Sequence, residues 1–83
     1  MKNIIYILLS LNYQKTYIGI TSDPGKRLVQ HNNGCNNYTR RYRPWKIIYT
    51  EKHISELEAR KREKYLKSSA GRKFIKKLLD KIQ

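Results

Sequence analysis

Two tyrosines near the N-terminus, Tyr6 and Tyr17, lie in apolar, β-branched surroundings, with Gly19 two positions after the second. Arg27 and His31 follow, and Glu63 stands later, in a run of bases formed by Arg60, Lys61, Arg62 and Lys64. These side chains offer two phenols, a permanent cation, an imidazole and a carboxylate. The set suits chemistry at a phosphate. A guanidinium donates two parallel hydrogen bonds to phosphate oxygens and never loses its charge. An imidazole exchanges protons near neutral pH. Each group also has a plainer explanation: a cross-strand aromatic pair, a solvated arginine, a surface histidine. Glu63 lies near the Ala59–Leu66 stripe of a predicted helix, and a carboxylate at the edge of a core-facing stripe needs a partner. That partner is Arg62, a neighbouring lysine or a divalent cation.

The elements that must position these groups are legible in the spacing. Ile4–Leu9 is apolar on both faces and predicts a central strand. A turn over Ser10–Gln14 leads to a second strand, Lys15–Thr21, which the short connection makes antiparallel to the first. With Leu9 and Gln14 closing the turn, Tyr6 faces Tyr17 directly, within touching distance on one side of the sheet. Gly19 then marks a place where another group approaches closely, and an open floor for a phosphate is the expected use.

Asp23-Pro24 predicts a helix start, an acceptor cap followed by proline with its pre-set φ. The helix is expected to reach Asn32 and to stop at Gly34, which puts Arg27 and His31 on one face. Cys35–Pro44 reads as an irregular basic loop carrying Arg40, Arg41 and Arg43. Trp45–Thr50 is a third strand. Ser55 caps a second helix reaching Lys67, and Ser68 or Ser69 starts a third, whose Phe74, Ile75, Leu78, Leu79 and Ile82 recur at helical spacing. The expected architecture is α+β, in the order ββαβαα, within one domain over residues 1–83: a three-stranded antiparallel sheet flanked by three helices.

Composition narrows the partners. Nineteen Lys and Arg against six Asp and Glu give a formal net charge of +13 over 83 residues, a field that attracts polyanions. The seven tyrosines and one tryptophan are able to stack on bases as well as to fill strands. A single cysteine, Cys35, excludes an internal disulfide, makes no recognised zinc spacing with His31 and His53, and suits a reducing, cytoplasmic setting. The apolar run Ile4–Leu9 is too short to span a bilayer, so no membrane partner is expected.

The ordered residues resemble the GIY-YIG nucleases. Ile4-Ile5-Tyr6, Tyr17-Ile18-Gly19-Ile20-Thr21-Ser22-Asp23-Pro24, Lys26-Arg27-Leu28, His31-Asn32, Tyr38-Thr39-Arg40, Arg43-Pro44-Trp45-Lys46 and Glu58-Ala59 leading to Lys61-Arg62-Glu63 follow that family's order. The likeness is strongest to small stand-alone bacterial members, which are related to the N-terminal domain of the C component of excinuclease ABC. Ile4 replaces the glycine of the first motif, and the asparagine found after the glutamate helix in some longer members has no match here.

The resemblance implies metal-dependent hydrolysis of DNA phosphodiester bonds, in DNA repair or processing. Glu63 matches the protein ligand of Mg²⁺ or Mn²⁺, and no small-molecule cofactor is implied. Arg27 matches the group that stabilises transition-state charge. Tyr6 and Tyr17 match the motif tyrosines that orient or deprotonate the attacking water, and His31 is a further candidate base. Charge and resemblance together place Gly19, Lys26, Tyr38, Arg40, Arg41 and Arg43 at the nucleic-acid surface, with DNA favoured over RNA. The alternative expectation is a basic nucleic-acid-binding module that keeps the fold and does little chemistry.

Overall fold

The computed structural model describes residues 1–82. It contains three strands and four helices: β1 (Ile4–Ser10), β2 (Thr16–Thr21), α1 (Pro24–Asn32), α2 (Asn37–Arg41), β3 (Trp45–Lys52), α3 (Glu56–Leu66) and α4 (Ser69–Ile82). The sheet is antiparallel, in the order β2-β1-β3. β1 is therefore central, as its apolar residues on both faces require. Ile5, Ile7 and Leu8 are fully buried, and Tyr6 nearly so.

Alternation along β1 creates two cores. Ile5 and Ile7 join Ile18, Ala59, Leu66 and Ile75 beneath α3 and α4. Tyr6 and Leu8 join Trp45 on the other face, packed against Tyr17, Leu28, Tyr42 and Ile47. A bulge in β3 maintains this division: Ile7 faces Tyr49 while the next residue, Leu8, faces Ile47. The extra residue, Ile48, lets Ile47 serve one core and Tyr49 the other, the usual effect of a bulge on strand register.

The helix ends follow local chemistry. Asp23 caps α1 by accepting from the Lys26 amide at 3.1 Å, and Pro24 occupies the first turn. Gly34, with φ of 87°, turns the chain after α1 in a conformation that side chains disfavour. Ser55 caps α3 by accepting from the Glu58 amide at 3.1 Å. Asn32 fixes α1 to β3: its amide group accepts from the Trp45 amide at 2.7 Å and donates to the Trp45 carbonyl at 3.2 Å.

Three expectations change. The hairpin register is Leu9↔Thr16, so Tyr6 faces Gly19 and Leu8 faces Tyr17. The cause lies in Ser10, which stays in the strand. Its amide donates to the Lys15 carbonyl at 3.0 Å, and its hydroxyl donates to the Tyr42 carbonyl at 2.6 Å. Tyr6 and Tyr17 keep a common face but meet diagonally. The segment read as an irregular basic loop contains the short helix α2, capped by the Asn36 side chain, which accepts from the Tyr38 and Thr39 amides. One turn is too short to show apolar periodicity. Finally, Ile82 is 43% exposed and does not join the face that α4 docks. No helix among the described residues is long and apolar enough to cross a membrane.

The α3–α4 corner depends on Gly71, where a Cβ would collide with Leu66 Cα and the Tyr65 carbonyl oxygen. Those are backbone atoms that cannot rotate aside. Gly71→Ala is expected to cost about 1–3 kcal/mol, the range for forced overpacking, read as a lower urea midpoint. An unchanged midpoint contradicts this account of the corner.

Candidate active site

Tyr6 is the centre of the second core. It is 1% exposed, and a buried phenol needs a hydrogen-bond partner. Its hydroxyl meets Nε2 of His31 at 2.9 Å. His31, also 1% exposed, meets Thr39 Oγ1 through Nδ1 at 2.8 Å, and Thr39 Oγ1 lies 3.5 Å from the Asn36 carbonyl. Assigned from this network, one tautomer satisfies every atom. Tyr6 donates to Nε2, the Nδ1–H donates to Thr39, and Thr39 donates to Asn36.

The imidazole in this chain is neutral. Burial, reinforced by the nearby Arg27 charge, lowers its pKa from 6.5 to about 4. The plainer expectation, an ordinary surface histidine, is therefore corrected. His31 is an interior group with a free lone pair directed at Tyr6.

Gly19 makes the burial of Tyr6 possible. A Cβ at Gly19 would lie 2.5 Å from the Tyr6 hydroxyl and 2.6 Å from the ring carbon bearing it. The close approach expected at this glycine is thus made by the protein's own tyrosine. Gly19 is buried beneath it and offers no open floor to a phosphate. Tyr17 completes the aromatic group. Its ring lies 4.8 Å from His31 and 6.2 Å from Tyr6, between centroids.

Arg27 projects from α1, one turn before His31. Its Nη1 donates to Gln30 Oε1 at 2.7 Å, which holds the guanidinium along the helix. The Tyr6 hydroxyl stabilises its charge and raises its pKa. Tyr6 is also shifted upward: burial dominates, Arg27 opposes it, and the charges of Tyr17 and Glu63 add to it. The Tyr6 proton is therefore held firmly at neutral pH.

Glu63 comes from α3, which belongs to the opposite helical layer, yet its charge acts on Tyr6. Its partner is Lys67, one turn on, with Nζ 3.2 Å from Oε2. Of the three partners open in the sequence, a neighbouring lysine is the one the structure shows. Arg62 is engaged elsewhere: its Nε donates to Glu51 at 2.8 Å, and its guanidinium lies over Tyr65 and Phe74. Among the described residues no three His, Cys, Asp or Glu groups converge. A single partly exposed carboxylate still fits Mg²⁺ or Mn²⁺, because such ions keep several waters and take substrate oxygens beside one or two carboxylates.

The nucleic-acid residues expected from sequence separate. Tyr38 joins the cluster, its ring 6.3 Å from Tyr17. Lys26 lines a groove with Lys2, Ser22, Asp23, Arg27 and Gln30. Arg40 and Arg41 on α2, and Arg43 after it, are exposed and lie outside the hydrogen-bonded cluster. Sequence reasoning misses Thr39, which fixes the His31 ring, and Gln30, which fixes Arg27. The sign of the first is Asn36, a cap residue three positions before Thr39.

Tyr6, Tyr17, His31 and Arg27 thus gather on the α1–α2 face of the central strand of an α+β domain, with Glu63 carried by α3 in the other layer. The chain belongs to the GIY-YIG nuclease family: the GIY-YIG catalytic domain matches residues 2–77. It is 41% identical over 66 residues to a UPF0213 protein of Clostridium perfringens, covering 78% of this chain and 70% of that one. A UPF0213 protein of Staphylococcus epidermidis is 33% identical over 76 residues, covering 90% and 92%. A homologue of structure-specific endonuclease subunit SLX1 from Leishmania infantum is 45% identical over 51 residues, covering 53% of this chain and 7% of that protein. No solved structure matches the chain. GIY-YIG nucleases are generally dependent on divalent metals.

The neutral His31 predicts a pH effect on stability. Between pH 6.5 and about 4 the unfolded imidazole binds a proton that the native one does not. Stability is therefore complete above the unfolded pKa and falls as the pH drops through this window, by roughly 3 kcal/mol in all. Glu51 and Glu56 have lowered pKa values, so their losses begin as the pH falls through the ordinary carboxylate range, at the acid end of this window, and are common to the wild type and the His31 variant. Urea unfolding from pH 7 to 4.5 is expected to show the decline in the wild type and a flatter profile in His31→Gln. Parallel profiles would refute a buried neutral histidine.

Proposed function

We propose that this chain is a divalent-metal-dependent endonuclease that hydrolyses DNA phosphodiester bonds, in cytoplasmic DNA repair or processing. The observation that supports the reading most is the Tyr6–His31 contact at 2.9 Å, with the Arg27 charge beside it and Glu63 acting on the same phenol.

The residues divide the work as follows. Arg27 receives the scissile phosphate and stabilises the charge that develops on its oxygens. Glu63 would hold Mg²⁺ or Mn²⁺, which supplies Lewis-acid polarisation of the phosphate and of the attacking water. Lys67, on a side chain 56% exposed, is free to swing away from the carboxylate or toward substrate oxygens. Tyr17 walls the cluster and orients the water together with Tyr6.

Tyr6 is a poor base while it keeps its proton, and its raised pKa keeps the proton there. The His31 lone pair resolves this. As Tyr6 accepts a proton from water, it passes its own to Nε2, and no free phenolate forms. His31 is a weak acceptor in the resting site, in part because the Arg27 charge opposes a second cation. A phosphodiester bound at Arg27 offsets that charge. Substrate binding thus raises the basicity of the group that must take the proton.

One observation favours a second reading, a binding module that does not cut. Glu63 is held in an ion pair with Lys67, and the net charge of +13 suffices for salt-sensitive binding. Cleavage of duplex, flap, branched and single-stranded DNA with Mg²⁺ or Mn²⁺ separates the two. Arg27→Ala and Glu63→Gln are each expected to cut about 10²–10³-fold more slowly, the loss typical of one charge-stabilising group. Tyr6→Phe and His31→Gln are expected to lose roughly 10²-fold or more if they form one proton path. Wild-type rates in both Arg27→Ala and Glu63→Gln would remove the nuclease reading. Tight binding with no cleavage under either metal would establish the binding module.

A further inference from the structure

The aromatic cluster does not end at the catalytic candidates. From Tyr17 the rings continue to Tyr38 at 6.3 Å, from Tyr38 to Tyr42 at 5.3 Å, and from Tyr42 to Tyr13 at 5.3 Å, between centroids. The row leads out of the site, past the C-terminal end of α2, to the tip of the β1–β2 hairpin. Its two accessible members are large and open: Tyr38 is 44% exposed and Tyr13 50% exposed. Lys15 reaches over the Tyr42 ring at 5.3 Å.

Two depressions flank the row along the edge strand. One, of about 370 Å³, is lined by Tyr17, Tyr38, Lys67 and Arg72. The other, of about 800 Å³, is lined by Tyr13, Lys46, Arg72 and Lys76. Thr16, Arg72 and Ile75 border both, so the two adjoin. Packing of the hairpin against α2 explains why Tyr13 touches Tyr42. It does not explain why Tyr13 and Tyr38 both stay exposed, or why cations line the same border.

We infer that the row Tyr17–Tyr38–Tyr42–Tyr13 is a stacking track for an unpaired DNA strand leaving the cleavage site, with Lys15, Lys67 and Arg72 meeting its phosphates. In a duplex the base faces are already stacked and cannot lie on tyrosine rings, whereas an unpaired strand presents them one after another. The preferred substrate therefore carries a single-stranded flank at the cut. This inference rests on the nuclease reading for its direction, but the track itself is a binding property and is tested without cleavage.

The test is fluorescence anisotropy in EDTA, with a labelled oligo-dT, a duplex of equal length and an oligo-rU. The wild type is expected to bind the dT strand more tightly than the duplex. Tyr13→Ala with Tyr38→Ala is expected to weaken dT binding roughly tenfold or more, since each stacked base contributes strongly, and duplex binding less than about twofold. Tyr13→Phe with Tyr38→Phe keeps both rings and is expected to retain the wild-type preference, which guards against misfolding as the cause. Equal losses for strand and duplex, no loss for either, or loss in the phenylalanine pair overturns the track. Tighter binding of rU than dT overturns the assignment to DNA. A chain that shows the tyrosine-dependent preference and never cuts keeps the track and discards the nuclease.

Discussion

A tyrosine on the central strand of a small sheet is buried only if its hydroxyl is satisfied and its ring has room. Both conditions constrain the rest of this molecule. Room comes from Gly19 on the edge strand, where any side chain would strike the Tyr6 ring. Satisfaction comes from His31, which must itself be buried and neutral, and which in turn requires a second partner. Thr39 is that partner, so the short helix α2 has to exist where the sequence suggests only a basic loop. The Asn32 clamp on Trp45 and the bond from the Trp45 indole to the Thr39 carbonyl at 2.7 Å then hold α1, α2 and β3 in one arrangement. Satisfying one phenol thus fixes three elements.

The second constraint is charge. A domain with net charge +13 repels itself, and only six acids are present to relieve it. Their placement is economical. Glu56 pairs with Arg60 and Glu63 with Lys67 along α3. Glu51 receives Arg62, His53 and the Tyr49 hydroxyl at the far side of β3. Exposed pairs of the first kind contribute little to stability. The partly buried Glu51 group does more, because Arg62 also lies over the Tyr65 and Phe74 rings and so joins β3 to α3 and α4. Glu58 adds a looser pair with Lys61, and the acids remain far fewer than the cations.

The legible part of the sequence is whatever depends on neighbours along the chain. Asp23-Pro24, Gly34 and Ser55 set helix ends by local hydrogen bonds and φ preference, and they are found where the residues put them. The double-faced apolar run of β1 fixes its central position. The diagonal meeting of Tyr6 and Tyr17 is less accessible, because it depends on whether Ser10 pairs or turns. That is decided by the Tyr42 carbonyl, remote in sequence. The burial of His31 is hidden for the same reason. Helical spacing places it beside Arg27, but nothing in the spacing shows that Thr39 and Tyr6 close over it. Arg27 and Glu63 stand out by residue type and order, and their partners Gln30 and Lys67 lie one turn away on their own helices.

The two cores divide the candidate groups between the faces of the sheet. Tyr6, His31 and Arg27 belong to the α1–α2 face, while Glu63 belongs to α3 on the other. Gly19 pairs with Tyr6 across the strands, so a side chain there would point to the tyrosine's own face and strike its hydroxyl and ring. The glycine leaves that space to the phenol. It therefore lets the tyrosine be buried with its hydroxyl against His31. Packing of the ring and placement of the hydroxyl share this position, so a larger residue at Gly19 disturbs both.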